Sequence, residues 1–168
     1  MRPAREALTT PAPLDDTHDV SMFHCGELAL DDWLRRRARA NQVAGASRTY
    51  VACRGDTVVA YYCLAAGAVT VSAAPGRVRR NMPDPISVAV LGRLAVDRTL
   101  QGQGIGRALL RDAVLRTLQA ADVIGVRGLL VQAISMDAQR FFLACGFTPS
   151  PIEPMVLMAT LQDLAAAL

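Results

Sequence analysis

The sequence predicts an α+β fold in which helices are layered on a mixed β-sheet. Two observations predict it. The first half contains two β-branched, apolar segments around a short turn, which is the pattern of a β-hairpin. The second half alternates strand-like and helix-like apolar segments, as layered α/β structures do. With 168 residues, 52% of them apolar and 20% charged, the chain is long enough to form one domain, residues 1–168, around a substantial core.

The first half is expected to contain one helix and the hairpin. Apolar residues recur at helical spacing from Leu30 through Trp33 to Ala38, and Gly45 is expected to end that helix. The segment RTYVACRGDTVVAYYCLAAGAV predicts two strands around the turn Arg54-Gly55-Asp56. The apolar run from Val58 to Ala74 is short for a membrane helix, and its β-branched residues favour a buried strand.

The second half is expected to alternate strands and helices. SAAPGRVRRNMPDP reads as a proline-rich basic loop, and ISVAVLGRLAVD as a third strand. From Gly104 to Ala121, apolar residues repeat every three or four positions, which predicts a long helix. GLLVQAI predicts a fourth strand, MDAQRFFLAC a short helix ended by Gly146, and PMVLMATL a last strand.

Composition excludes few classes of function. The net charge of +3, carried mostly by arginine, is compatible with an anionic partner but does not require one. The four cysteines form no CxxC pair and have no metal-like spacing with the two histidines, so we expect reduced thiols and no metal site. The N-terminal MRPAREALTTPAP lacks the apolar core of a signal peptide. We therefore expect a cytoplasmic protein with no membrane segment.

The stretch DRTLQGQGIGRALL places three glycines on alternate positions directly before the long predicted helix. Glycine allows positive φ and close approach of a ligand to the backbone, and a helix start offers N–H groups and the positive end of its dipole. This combination binds phosphate. A dinucleotide fingerprint would require glycine at Arg107 or Leu109, and a P-loop would require a lysine that is missing here. The pattern that fits is Q-x-x-G-x-G, beginning at Gln101.

That pattern, together with the strand LGRLAVD before it and AQRFFLACGF after it, resembles the GNAT (Gcn5-related N-acetyltransferase) superfamily. The chain from about Leu14 to Leu164 can be aligned with that fold in order. The resemblance implies a mixed, mostly antiparallel central sheet with a splayed central strand, and acetyl-CoA as the acetyl donor. The coenzyme-binding residues that it implies are Leu94, Ala95, Val96, Gln101, Gly102, Gln103, Gly104, Ile105, Gly106 and Arg107.

Longer segments, from HDVSMFHCGELALDDWL to GFTPSPIEPMVLMATLQDL, are similar to the acetyltransferase toxins of bacterial toxin–antitoxin pairs. Those toxins acetylate the α-amino group of aminoacyl-tRNA and so block translation. The resemblance implies aminoacyl-tRNA as the acceptor and a ribbon-helix-helix antitoxin as a partner, and it is compatible with a homodimer. The arginines expected to contact tRNA phosphates are Arg36, Arg77, Arg79, Arg80 and Arg93; solvated surface arginines are the alternative.

The chemistry requires a neutral amine, an oxyanion stabiliser and a proton for the departing thiolate. Because an α-amino group has a pKa of about 8, it needs no strong base. The candidate bases, His24 among them, are each more simply read as structural or solvated residues; His24 in particular is read as a packed one. The backbone of Leu94 to Val96 is the expected oxyanion donor, where the resemblance places the thioester carbonyl.

The proton donor is where the chain departs from the toxins, which carry tyrosine at the second position of an aromatic pair. Here the pair is Phe141-Phe142, and Phe142 has no hydroxyl. Water, Cys145, Ser135, or a tyrosine at 50, 61 or 62 could replace it, and we expect weak activity. Three functions therefore stay open: a tRNA-acetylating toxin, a GNAT enzyme for a small amine or protein N-terminus, and a degenerate acyl-CoA-binding protein acting through an antitoxin.

Overall fold

A computed structural model describes residues 6–168. The strands are β1 (Ala12–Pro13), β2 (Arg48–Arg54), β3 (Thr57–Val69), β4 (Ile86–Val96), β5 (Gly128–Gln132), β6 (Thr148–Pro149) and β7 (Val156–Thr160). They form one sheet in the order β1-β2-β3-β4-β5-β7-β6. The β1–β2, β5–β7 and β6–β7 pairs are antiparallel and the β4–β5 pair is parallel. The predicted α+β fold with a mixed sheet is confirmed.

The helices are α1 (Leu28–Arg36), α2 (Ala38–Ala44), α3 (Gly76–Arg79), α4 (Ile105–Ala121), α5 (Met136–Ala144) and α6 (Leu161–Ala167). The single first helix of the prediction is divided at Arg37, which is the C-cap of α1 and the N-cap of α2. Gly45 ends α2 with φ 78°, the left-handed conformation that glycine adopts readily, as expected. The hairpin turn is Gly55-Asp56, with Arg54 still in β2.

Two further segments differ from the prediction, and the two-residue strands β1 and β6 were not predicted. The basic loop contains a 3₁₀ turn at Val71–Ala73 and the short helix α3. The last strand ends at Thr160, although the predicted strand extended to Leu161. Helix α6, which follows it, was not predicted. The Thr160 hydroxyl accepts the N–H of Asp163 at 3.1 Å, so it caps the first turn of α6.

The chain divides into two compact units. Of the described residues, the first unit contains 6–63 together with Arg93–Leu109, and the second contains Leu64–Gly92 together with Leu110–Leu168. In the first, Phe23 and buried side chains of α1, β2 and β3 form a core, among them Trp33, Leu34, Val51, Val58 and Tyr61. In the second, α3, β4 and β7 contribute a core that includes Val78, Ile86, Val88 and Met158.

Within residues 6–168, no helix has the length and apolarity that crossing a membrane requires. The four cysteines are buried, and no disulfide joins any two of them. The same residues contain no group of three or more His, Cys, Asp or Glu side chains placed to hold a metal ion.

Candidate functional site

Gln101 fastens the glycine loop to the end of β4. Its side-chain amide donates one hydrogen bond to the carbonyl oxygen of Val96, at 2.9 Å, and another to that of Cys25, at 2.7 Å. Between β4 and the loop, Asp97 caps a 3₁₀ turn over Arg98–Leu100 by accepting the N–H of Thr99 at 3.1 Å. The glutamine of the Q-x-x-G-x-G pattern is therefore a structural anchor of the loop.

The first two glycines of the loop have left-handed backbones. Gly102 has φ 79° and Gly104 has φ 81°, so any other residue would be strained at either position. A Cβ added to either glycine would meet no atom within 4 Å. Since residues 101–104 are exposed, this backbone is open to close approach by a ligand.

Helix α4 begins immediately after these glycines. The amide of Ala108 donates to the carbonyl oxygen of Gly104 at 3.1 Å, which is the first i→i−4 bond of the helix. The amides of Ile105 and Gly106 precede that bond in the first turn, where backbone N–H groups have no carbonyl partner within the helix. Gly106 is thus a helical residue. Ile105 and Gly106 are half-buried, and Arg107 is exposed beside them.

The strand β4 leads into this loop. In its register with β5, Ala89 lies opposite Leu129 and Leu91 lies opposite Val131. Beyond these pairs, β4 continues to Val96. Along this continuation, Leu94 and Val96 are half-buried and Ala95 is buried in the core of the first unit. The strand β4 therefore extends past its registered pairs with β5 and leads directly into the glycine loop.

Phe142 lies on α5 in the second unit and is 7% exposed. Its ring makes edge-to-face contacts with Phe141, at a centroid distance of 5.2 Å, and with Phe147, at 5.5 Å. These geometries are favourable for aromatic pairs. Position 142 therefore belongs to an apolar aromatic cluster.

Other side chains considered as proton donors have structural roles. The Tyr61 hydroxyl donates to the carbonyl oxygen of Leu30 at 2.7 Å, and burial raises its pKa above the usual value. Ser135 is the N-cap of α5 and accepts the N–H of Ala138 at 3.1 Å. Cys145 is buried. None of these three side chains offers an exposed acidic proton, whereas Tyr50 and Tyr62, which stack on each other at 5.2 Å, stay candidates together with water.

The three arginines of the basic segment differ in their surroundings. Arg77 forms a bidentate ion pair with Asp163, in which Nε and Nη2 each lie 2.7 Å from a carboxylate oxygen. The bonded guanidinium holds the pKa of Asp163 below its usual value. Arg79 and Arg80 are exposed. Because Asp163 neutralises Arg77, Arg79 and Arg80 are the better candidates for contacts with phosphate.

The remaining predicted arginines lie in the first unit. Arg36 is exposed in the last turn of α1. The guanidinium carbon of Arg93 lies 4.3 Å from the centre of the Trp33 ring, a cation–π geometry. Trp33 also stacks on Tyr61 at 6.0 Å. Arg93 is thereby packed on a ring of the core, whereas Arg36 is exposed to solvent.

Sequence reasoning missed the role of Asp31. An acidic residue in the first turn of a helix is favourable without any partner, but this carboxylate is 1% exposed and accepts the N–H of Cys25 at 2.9 Å. The other carboxylate oxygen lies 3.3 Å from Nδ1 of His24, whose side chain is 63% exposed, so the expectation of a packed histidine is wrong. The signal was the spacing of three residues from Asp31 to Leu34, which puts it on the buried face of α1.

A known protein family matches the part of the chain that contains this strand, the open glycine loop and the start of α4. The family described as "Acetyltransferase (GNAT) domain" matches residues 45–149, and the chain belongs to it. The tRNA-acetylating toxin of Mycobacterium tuberculosis is 51% identical over 158 residues, covering 94% of this chain and 95% of the relative.

Two solved structures of the toxin AtaT share the fold. AtaT complexed with acetyl-methionyl-tRNAfMet has a TM-score of 0.87 and 30% identity, and the match covers 95% of this chain and 98% of that one. A tyrosine-to-phenylalanine variant of AtaT, bound to the C-terminus of the antitoxin AtaR and to acetyl-CoA, has a TM-score of 0.81 and 30% identity, covering 96% and 97%.

Proposed function

We propose that this protein transfers the acetyl group of acetyl-CoA to the α-amino group of aminoacyl-tRNA and thereby acts as a toxin that inhibits translation. The observation that carries the proposal is the loop at Gln101–Gly104. In this loop the side chain of Gln101 is hydrogen-bonded to the backbone, two glycines have positive φ with no atom near an added Cβ, and a helix begins directly afterwards. The name of the Mycobacterium tuberculosis relative and the tRNA complex of AtaT support this acceptor. The acetyl-CoA complex of the AtaT variant supports the donor.

The loop and α4 bind the pyrophosphate of the coenzyme in this proposal. The backbone N–H groups of residues 102–106 surround it, the positive end of the α4 dipole attracts it, and Arg107 adds charge. Gln103, although exposed, contributes only its main chain. The fit is good because a phosphate can approach a backbone that has no side-chain atoms around Gly102 and Gly104. Acetyl-CoA supplies an activated thioester.

The end of β4 orients that thioester. Main-chain groups of Leu94, Ala95 and Val96 pair with the pantetheine arm, and an N–H among them stabilises the negative charge that develops on the carbonyl oxygen. The neutral α-amine attacks the carbonyl carbon, the carbon–sulfur bond breaks, and the nitrogen loses a proton to water. The thiolate takes up a proton from water, since Phe142 carries none.

An acceptor panel tests the function directly. Purified protein and radiolabelled acetyl-CoA are incubated with aminoacyl-tRNA, deacylated tRNA, small amines, an N-terminal peptide and no acceptor. We expect label on aminoacyl-tRNA alone, because only that substrate combines a free α-amine with phosphates. Acetylation of small amines or the peptide would favour the other GNAT activity. Coenzyme binding without any transfer would favour the acyl-CoA-binding protein.

The partner of such a toxin is an antitoxin. The AtaT variant is bound to the C-terminus of AtaR, which supports an antitoxin as partner of this chain, and we propose the ribbon-helix-helix class. We also propose a cytoplasmic location, where aminoacyl-tRNA is found, and a homodimer. Co-expression with a candidate antitoxin, followed by size-exclusion chromatography with light scattering, tests the complex and the dimer together.

The proposed tRNA contact predicts a specific salt dependence. Replacing Arg79 and Arg80 with alanine should reduce the slope of log affinity against log salt by about 1 for each lost phosphate contact. Arg77→Ala should change the slope less, because Asp163 already neutralises this guanidinium. Fluorescence anisotropy with labelled tRNA at several salt concentrations measures the slopes. Arg48→Ala on β2, which removes another exposed arginine, is the control. An unchanged slope in the Arg79/Arg80 double variant would exclude this pair.

A further inference from the structure

A two-residue segment, His24–Cys25, called the strap below, is bonded to the coenzyme loop through its backbone. The N–H of His24 donates to Oδ2 of Asp97 at 3.2 Å, and the carbonyl oxygen of His24 accepts the N–H of Arg98 at 2.8 Å. The carbonyl oxygen of Cys25 accepts the side-chain amide of Gln101 at 2.7 Å. The strap therefore fixes the start of the loop at three points.

The buried carboxylate of Asp31 holds the same strap from the other side. One oxygen accepts the N–H of Cys25 at 2.9 Å, and the other lies 3.3 Å from Nδ1 of His24. Asp31 is 1% exposed, and a carboxylate is buried at this depth only when such partners compensate for lost hydration. Burial raises the pKa of the Cys25 thiol to about 11, so this thiol stays uncharged beside the carboxylate.

We propose that Asp31 is a positioning residue of the coenzyme A site, which acts through the strap on Asp97, Arg98 and Gln101. The proposal rests on the proposed function, since it assumes that the loop binds coenzyme A. Without the carboxylate, the N–H of Cys25 loses its acceptor and the strap is free to shift, together with the loop bonded to it. Ligand binding must then order the loop, and this cost weakens affinity.

If Asp31 served folding alone, its replacement would have a different effect. Asp31 lies in the first turn of α1, where a negative charge also stabilises the helix dipole. That role alone predicts lower stability with normal coenzyme affinity in the folded protein. The chain has a single tryptophan, Trp33, two residues after Asp31 and in the core of the first unit. Its fluorescence emission therefore reports the packing of α1 in every variant.

Calorimetric titration with coenzyme A tests the proposal in the full chain. In Asp31→Ala, we expect Kd to rise about tenfold, the effect of one lost charge-assisted hydrogen bond. Asp31→Asn keeps an oxygen for the N–H of Cys25 and should bind within about threefold of wild type. Asp32→Ala removes the neighbouring carboxylate, which is half-buried and pairs with Arg35 at 3.4 Å, and should change Kd by less than about twofold. In acetylation assays, Asp31→Ala should raise KM for acetyl-CoA and leave kcat nearly unchanged.

Three outcomes would overturn the inference. The first is wild-type coenzyme affinity in an Asp31→Ala variant whose Trp33 emission is native. The second is loss of native emission in both Asp31 variants, which would show that the carboxylate serves folding. The third is a wild-type chain that binds no coenzyme A, which contradicts the proposed function and removes this inference with it. A normal wild-type titration beside a normal Asp31→Ala titration contradicts the positioning role alone.

Discussion

Replacing Gly104 with valine is expected to abolish measurable coenzyme A binding in a protein that still folds. At φ 81°, a β-branched residue adds backbone strain of about 1–2 kcal/mol, which one domain tolerates. The added Cβ meets no protein atom within 4 Å, so the side chain projects into the space that the pyrophosphate would use. Losing two N–H donors to phosphate, at about 1.5–3 kcal/mol each, predicts a Kd at least about 100-fold higher.

The chain contains a matched control for this substitution. Gly45 has φ 78°, and a Cβ added there also meets no atom within 4 Å, but Gly45 ends α2. Gly45→Val should cost the same backbone strain and leave coenzyme affinity unchanged. Thermal unfolding and calorimetry of both variants separate strain from obstruction. Normal binding by folded Gly104→Val would exclude the loop as the phosphate site, whereas weak binding by both variants would indicate a general effect of strain.

The loop was predictable because its signals are local. Alternate glycines before an apolar helical run define left-handed turns and a helix start within one short segment, and the structure has both at Gly102, Gly104 and Ile105. The role of Gln101 was not predictable in physical terms. Its amide bonds to the carbonyl of Cys25, which is 76 residues away in sequence, and no local pattern encodes that contact.

Contacts made only in the tertiary fold also explain why the roles of Asp31 and Arg77 were missed. The role of Asp31 was missed because an acidic residue in a first turn is favourable without any partner; only the tertiary fold shows that it is buried against the strap. Arg77 was grouped with Arg79 and Arg80 because the three share a basic segment, and the pairing with Asp163 joins positions 86 residues apart. Helix α6 did have a local signal, the Thr160-x-x-Asp163 cap, which the apolar run through Leu161 obscured.

Phe142→Tyr is expected to accelerate acetyl transfer. The resemblance to the toxins puts their tyrosine at this position, and a general acid typically contributes about 100- to 10,000-fold. A gain of tenfold, about 1.4 kcal/mol of transition-state stabilisation, is the smallest effect we expect, since the aromatic rings around position 142 offer the hydroxyl no polar partner. The ring is buried against Phe141 and Phe147, so the new hydroxyl must find a partner or water, or it will cost about 1–3 kcal/mol of stability.

Single-turnover acetylation of aminoacyl-tRNA at saturating acetyl-CoA measures this gain without a contribution from product release. Phe141→Tyr is the matched control, because it adds the same hydroxyl to the adjacent, half-buried ring of α5 and should leave the rate unchanged. Thermal unfolding of both variants shows whether the hydroxyl at 142 is accommodated. A faster Phe142→Tyr protein, more toxic on expression than wild type, would identify position 142 as the missing proton donor. A stable variant that is no faster would show that water, or another group, has taken over protonation of the thiolate in this chain.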